Sequence, residues 1–384
     1  MNSVLWITLG LGVAAVLAWA YLMFLRGGFW LMRERDDRAE PAAPRAWPSV
    51  VAVVPARNEA DVIATSIGSL VGQDYSGAFR IILVDDNSDD GTAAAAPSDP
   101  ERLEVLRGGP LAPGWTGKLW AMKQGVDQAA AYAPDYILFT DADIAHAPEN
   151  LTRLVTRAEH GGLALTSLMA ELTVQTWAER LMIPAFVFFF DMLYPFGWAN
   201  DPRRSLAAAA GGCMLVRSEA LERAGGVAAI RGEIIDDCAL ARALKRQGPI
   251  WLGLTHRARS LRPYRDLAAV GRMISRSAYA QLGYSPAILA GTVAGMVVVY
   301  LAAPCLALFA HGAARALGLI AWIAMAAAFQ PMLRFYRRHP AWGAALPAIG
   351  ALYTLFTLKS ALDSWRGRGG MWKGRSQAAV GANS

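Results

Sequence analysis

Apolar residues in this chain gather into two kinds of run. Four are long and almost free of charge: Val4–Leu25, Pro286–Ala310, Ala316–Leu333 and Ala341–Leu358. A helix needs about 20 such residues to cross about 30 Å of hydrocarbon, so each can span, the last two near the minimum. Between the first and second lie shorter, β-branched runs: residues 49–55 (SVVAVVP), Arg80–Val84, Glu101–Leu106 and Tyr136–Phe139. Unbroken runs of this length mark strands buried on both faces. The first is followed by an apolar-periodic helix through Ile63, Ile67 and Leu70. Strand alternating with helix predicts an α/β fold with a doubly wound, mostly parallel sheet. The resulting division is an anchor at 1–26, a charged, Pro/Ala-rich linker at 27–47, a sheet domain at 48–283, membrane helices at 284–365 and a basic tail at 366–384.

The flanks of the long runs suggest their orientation. No basic side chain precedes Val4, and the apolar run passes without a cleavage-type segment into Arg26, Arg33 and Arg35. That reads as an uncleaved anchor with its N-terminus outside and the following domain in the cytoplasm. Arg334, Arg337 and Arg338 are cytoplasmic if the second and third runs form a hairpin. A full fourth crossing then places Arg366, Arg368, Lys373 and Arg375 outside, against the positive-inside tendency; a re-entrant last segment, helped by Pro347, restores a cytoplasmic tail. A further apolar stretch, Leu181–Phe190, is too short to span. It reads as a membrane-surface element near an acceptor site, with plain core packing as the alternative.

Composition narrows the class. The chain of 384 residues is 54% apolar and 18% charged, with a net charge of +6, a pI near 9.3 and a mean hydropathy of +0.27. In so apolar a chain, excess positive charge suits cytoplasmic loops and anionic lipid better than nucleic acid, so no nucleic-acid partner is expected. Cys213, Cys238 and Cys305 form no CxxC pair, and the five histidines are isolated, which suggests neither a disulfide framework nor a zinc site. No GxGxxG follows the first strand and no GxxxxGK[ST] occurs, which argues against dinucleotide and P-loop folds.

The chemistry begins where the Tyr136–Phe139 run breaks into Thr140-Asp141-Ala142-Asp143. Two carboxylates one residue apart at a strand's C-terminal edge lie where open α/β sheets bind ligands. Mg²⁺ is typically held by one or two carboxylates plus substrate phosphates. A solvated turn would carry the same residues.

The company of that turn resembles the family 2 glycosyltransferases. The resemblance runs through Pro55-Ala56-Arg57-Asn58-Glu59, Val84-Asp85-Asp86-Asn87-Ser88, Gly117-Lys118 and Asp141-Ala142-Asp143. It continues through Ala210-Gly211-Gly212-Cys213, Gly225-Gly226 and Asp236-Asp237-Cys238-Ala239-Leu240, covering about residues 48–280. The 114–118 stretch (GWTGK) and Trp372-Lys373-Gly374-Arg375 look more narrowly like the hopene-associated glycosyltransferases. The family implies a GT-A fold, inversion, and a nucleotide-sugar donor, here most simply a UDP-sugar.

It also implies roles. Asp86 would take the nucleotide base or ribose, with Glu59 and the backbone near Pro55 completing the wall. Lys118 would face the diphosphate, and Asp141 and Asp143 would hold Mg²⁺ or Mn²⁺ as a Lewis acid for the leaving group. Asp237 matches the second acid of the family's Glu-Asp-x-x-Leu pattern, the general base, with Asp236 replacing the glutamate. Helix N-capping offers a bland account of Asp85 and Asp86, helix-dipole complementation of Asp237, and solvation of Lys118. Many synthases of the family carry Gln-x-x-Arg-Trp, of which only Arg276 is kept here, and this favours transfer of a single sugar over processive synthesis.

The expectation is a multi-pass inner-membrane enzyme with a cytoplasmic GT-A domain and a lipid acceptor of hopanoid or isoprenoid type. A polyprenyl-phosphate glycosyltransferase and a non-catalytic membrane binding or assembly protein are the alternatives. Intact Asp141, Asp143 and Asp237 count against the last.

Overall fold

Each run read as a strand enters the sheet of the computed structural model within two residues of its expected limits. β1 (Val50–Ala56), β2 (Phe79–Asp85), β3 (Leu103–Arg107) and β4 (Tyr136–Thr140) lie in parallel in the order β3-β2-β1-β4. β5 (Ile144–His146), β6 (Leu165–Glu171), β7 (Cys213–Arg217) and β8 (Ile250–Ser260) extend the order to β3-β2-β1-β4-β7-β6-β8-β5. β7 runs antiparallel to β4 and β6, and β5 to β8, whereas β6 and β8 are parallel. The structure describes residues 2–38, 42–367, 371–372 and 375–376. Arg368, Lys373 and Gly374 of the expected tail lie outside the described residues.

Period-two alternation sends each strand's side chains to two cores. Val51, Val53, Ile82, Val84, Ile137 and Phe139 meet Leu119 and Met122 of the Gly117–Ala129 helix and Leu240 and Leu244 of the Asp236–Lys245 helix. Val50, Ala52, Val54, Ile81, Leu83 and Leu138 meet Ile63, Ile67 and Leu70 on one helix and Leu151, Leu154 and Val155 on the Asn150–Gly161 helix. Helices therefore cover both faces, and the β-branched runs are apolar throughout for that reason. A fully buried Val, Leu or Ile contributes about 1.5–3 kcal/mol, so these two layers dominate the unit's stability.

The chain divides into two compact units. Among the described residues, the sheet unit comprises 34–38, 42–173, 198–263, 371–372 and 375–376; the helical unit comprises 2–33, 174–197 and 264–367. Residues 174–197 and 264–283, counted with the sheet domain from sequence, thus belong to the helical unit. Part of the expected linker is ordered within the sheet unit. Arg35 bridges Leu254 of β8, and Asp36 accepts from Thr255 Oγ1 at 2.5 Å and faces Arg257 at 2.9 Å.

Among the described residues, the helical unit holds four helices long and apolar enough to cross a membrane: Ser3–Phe24, Pro286–Phe309, Gly312–Phe335 and Pro340–Trp365. The second contains a π turn at Val297–Leu301, within which the Val299 carbonyl accepts from Trp19 Nε1 at 2.8 Å. The Leu181–Phe190 stretch is core and not a surface element. It lies in the Trp177–Leu193 helix, opened by a Thr176/Glu179 capping box. Phe188 packs on Phe29 and Phe329, and Phe189 on Tyr300 and Tyr353. Its aromatic side chains find apolar partners within the unit, which sequence alone does not reveal.

The close packing of the Gly117–Ala129 helix on β1 yields a test. A Cβ at Gly125 would sit 2.4 Å from Val53 Cγ1 and 3.0 Å from Val84 Cγ2, whereas one at Gly68 meets open space. Gly125→Ala should therefore cost about 1–3 kcal/mol by overpacking. Gly68→Ala, in an exposed helix interior, should be neutral or gain about 0.5–1 kcal/mol. Thermal melts of the detergent-solubilised protein compare the two, and equal midpoints would contradict the packing.

Candidate active site

The site assembles at the C-terminal edge of the parallel strands, where the backbone leaves the sheet. Asn58 after β1 and Asn87 after β2 take left-handed conformations (φ 51° and 54°), which asparagine tolerates. The two turns are sewn together: Asn58 N donates to Ser88 Oγ (3.0 Å), Glu59 N to Thr92 Oγ1 (2.8 Å), and Ala60 N to Asp90 Oδ2 (3.0 Å). Asp85 accepts from Ser88 and Asp90 from Thr92 N (3.0 Å). Much of the acidic turn is thus spent on shaping the loop.

β4 ends in the Asp141–Asp143 turn, and two helix N-termini converge on it. Lys118, in the first turn of its helix, places Nζ 2.9 Å from Asp141 Oδ1 and 3.0 Å from Asp236 Oδ2. Arg262, just past β8, sets Nε 2.7 Å from Asp143 Oδ2, and its Nη2 donates to both Glu59 oxygens at 2.6 and 2.7 Å. Lys118 and Arg262 therefore engage four carboxylates between them. Burial alone would pull the Lys118 ammonium down, but the charges of Asp141 and Asp236 outweigh it and hold the group above lysine's ordinary value. Burial raises the Asp141 carboxyl against the opposing pull of Lys118.

Asp237 is the fifth carboxylate. Its Oδ2 accepts from Gly211 N at 3.1 Å and its Oδ1 from Cys238 N at 2.7 Å. Burial, with the adjacent charge of Asp236, pushes its carboxyl up to about 6, with Lys118 and the two N–H donors acting the other way. A carboxylate poised near neutrality is suited to taking a proton. Glycine at 211 leaves room here, because a Cβ would lie 3.3 Å from Lys118 Nζ and 3.7 Å from Asp237 Oδ2.

The structure thus gathers Glu59, Lys118, Asp141, Asp143 and Asp237 in one cluster. Glu59, 7% exposed, presents its carboxylate to Arg262. Pro55 is buried in β1 opposite Val84. Asp86 is fully buried one residue past β2, with Arg57 Nη1 3.8 Å from its Oδ2 and bonded to its carbonyl. Arg276 is the C-cap residue of the Leu267–Ser275 helix in the helical unit. Sequence reasoning missed Arg262, whose signal was a requirement: clustered carboxylates need a second cation.

Asp141 and Asp143 offer hard oxygen donors of the type divalent cations take. Among the described residues no third His, Cys, Asp or Glu joins them as a metal cluster. That donor set fits an ion completed by substrate oxygens and water, as Mg²⁺ sites commonly are.

Residues 51–225 match the family described as Glycosyl transferase family 2. This segment, a little under half of the chain, is similar to family 2 glycosyltransferase domains. It includes the Asp141–Asp143 turn, Lys118 and Gly211, while Asp237 and Arg262 follow it in sequence. A polyprenol monophosphomannose synthase of Mycolicibacterium smegmatis is 29% identical over 39% of this chain and 57% of its own. An N-acetylglucosaminyltransferase of Neorhizobium galegae is 30% identical over 55% of this chain and 49% of its own. The chain thus spans about half the length of these relatives. Among solved structures, a mannosyltransferase of Pyrobaculum calidifontis in complex with GDP-Man and Mn²⁺ aligns with 92% of this chain and 99% of its own, at 20% identity and a TM-score of 0.54. This likeness supports a GT-A-type fold for the domain.

The Arg262 bridge can be measured apart from catalysis. Arg262→Met strips the guanidinium from Glu59 and Asp143 and should cost about 1–3 kcal/mol. Adding Glu59→Gln should recover part of the loss, because the two groups act as a pair. Purely additive losses in thermal melts would show that the bridge carries no coupling.

Proposed function

We propose that the protein is a membrane-bound, inverting glycosyltransferase. It moves a single sugar from a nucleotide-sugar donor to a lipid acceptor, of hopanoid or isoprenoid type, at the cytoplasmic face of the cell membrane. One observation carries this reading: Lys118 bridges Asp141 and Asp236, so the turn suited to the donor's diphosphate lies beside the helix that bears Asp237.

In this mechanism Asp86 and the β1 and β2 turns, with Pro55 and Glu59, hold the nucleotide, and Lys118 faces the diphosphate. Asp141 and Asp143 would hold Mg²⁺ or Mn²⁺, which supplies Lewis-acid stabilisation of the leaving diphosphate. Mn²⁺ in the Pyrobaculum calidifontis mannosyltransferase supports that choice. Asp237 takes the acceptor's hydroxyl proton as its oxygen attacks the anomeric carbon, and the bond to the phosphate oxygen breaks with its electron pair. One displacement inverts the centre. Arg276 is the retained member of the processive-synthase motif, whose missing Gln and Trp support single transfer. The base specificity, UDP or GDP, is set within the Asp86 wall.

A second reading takes a polyprenyl phosphate as acceptor and is favoured by the Mycolicibacterium smegmatis relative. The two readings differ in what they ask of Asp237. An alcohol needs a base, whereas a phosphate monoester, with a second pKa near 6, is already ionised at neutral pH.

Asp237→Asn therefore tests function and acceptor together, in an assay of radiolabelled UDP- and GDP-sugars with membrane lipid extract. For an alcohol acceptor, transfer should fall roughly 10²–10⁴-fold with donor binding almost unchanged. Wild-type turnover should also fall as pH drops through about 6, because Asp237 then becomes protonated and cannot accept a proton. Near-normal transfer by the variant would contradict the base assignment and favour the phosphate acceptor.

A further inference from the structure

Beneath the site lies a buried polar chain that the mechanism above does not use. It joins β4, β5, the Asn150–Gly161 helix and the segment entering β7. Thr140 Oγ1 donates to the Gly212 carbonyl at 2.8 Å. A carbonyl can only accept, so the single hydroxyl proton is spent there, and the hydroxyl accepts from His146 Nε2 at 2.9 Å. His146 Nδ1 is then left with a lone pair, which takes Asn150 Nδ2 at 3.0 Å. The same amide reaches Cys213 Sγ at 3.8 Å. The donor count fixes the tautomer: a second ring proton would point at the Asn150 amide. Burial also pulls the imidazole down to about 4, so it stays neutral.

All the side chains involved are buried: Thr140 is 1%, His146 6% and Asn150 1% exposed. His146 is itself pinned through its backbone, whose N–H donates to Ser69 Oγ at 2.9 Å. The far end of the chain is the informative one. Thr140 immediately precedes Asp141, and Gly212 immediately follows Gly211, whose N–H donates to Asp237 Oδ2. One hydroxyl thus ties the residue before the acidic turn to the peptide beside the fifth carboxylate. The Ala210-Gly211-Gly212-Cys213 motif acquires a physical purpose: its backbone is the link.

We infer that Thr140 and His146 are positioning residues which lock the Gly211–Gly212 backbone to the Asp141–Asp143 turn, so that Asp237 is held in register with the donor site. The inference rests on Asp237 being the base. Loss of the Thr140 hydroxyl frees the Gly212 carbonyl, and Gly211 then no longer orients the Asp237 carboxylate against Asp236 of its own helix, Lys118 of the neighbouring helix and Asp141 of the turn.

The test is a double-mutant cycle in the full-length, detergent-solubilised protein, with folding checked by circular dichroism. Thr140→Val keeps the side chain's shape and removes the hydroxyl; it should lower kcat roughly ten- to a hundredfold, the range expected from misplacing a reacting group. Thr140→Ser restores the hydroxyl and should restore most of kcat. His146→Gln, which can place an amide N–H near the Nε2 position, should outperform His146→Phe. In the Asp237→Asn background, Thr140→Val should cost little more, because groups acting through one another are not additive. The same fold-loss in both backgrounds, or a folded Thr140→Val protein with wild-type kcat, would overturn the inference. A near-normal Asp237→Asn single variant would instead remove the base reading on which it rests.

Discussion

Carboxylates can be concentrated in one place only if positive charge is brought to them, and this site is built around that constraint. Glu59, Asp141, Asp143, Asp236 and Asp237 come together at the ends of β1, β4 and one helix. Two cations, Lys118 and Arg262, engage four of them at 2.6–3.0 Å. At such distances and partial burial, an unmatched pair of like charges costs several kcal/mol. The ammonium and guanidinium therefore hold a constellation that would otherwise open or protonate. Asp237, held by backbone N–H donors, is left with its carboxyl near neutrality. In the proposed function a divalent ion and a diphosphate would bring equal and opposite charge into such a cluster, and Lys118 and Arg262 would exchange partners as they bind.

The fold explains why these groups meet. β1 to β4 run in parallel, so their C-terminal ends open on one edge of the sheet, and β7 returns antiparallel beside β4. That reversal brings the Gly211–Gly212 segment, which enters β7, alongside the residues that leave β4. The edge where the chain changes direction is where open α/β sheets place their ligands. The Thr140 hydroxyl bridges the two backbones at that edge.

The parts of this arrangement governed by local sequence were legible. Buried strands betray themselves by unbroken β-branched runs, and β1, β2 and β4 begin and end within a residue of expectation. Asp141 and Asp143 were named because they stand where an apolar strand run breaks, and Lys118 and Asp237 because they match motifs of the family 2 glycosyltransferases. What escaped depends on pairs far apart in the chain. Arg262 follows Asp143 by 119 positions and Glu59 by 203, and nothing in its neighbourhood distinguishes it from other arginines of the Arg257–Arg265 stretch. His146 was passed over as an isolated histidine, since its partners Thr140 and Asn150 are ordinary turn and helix residues until the fold stacks them. The apolar stretch at 181–190 went astray for the opposite reason: composition reports that residues are apolar, not whether protein or lipid covers them.

In the proposed function the acidic turn exchanges its internal cations for a divalent ion held together with a nucleoside diphosphate. Electron paramagnetic resonance of Mn²⁺ titrated into the solubilised protein tests it without turnover. Mn²⁺ binding should tighten when UDP or GDP is added and should be lost in Asp143→Ala. Binding that ignores the nucleotide and survives Asp143→Ala would contradict it.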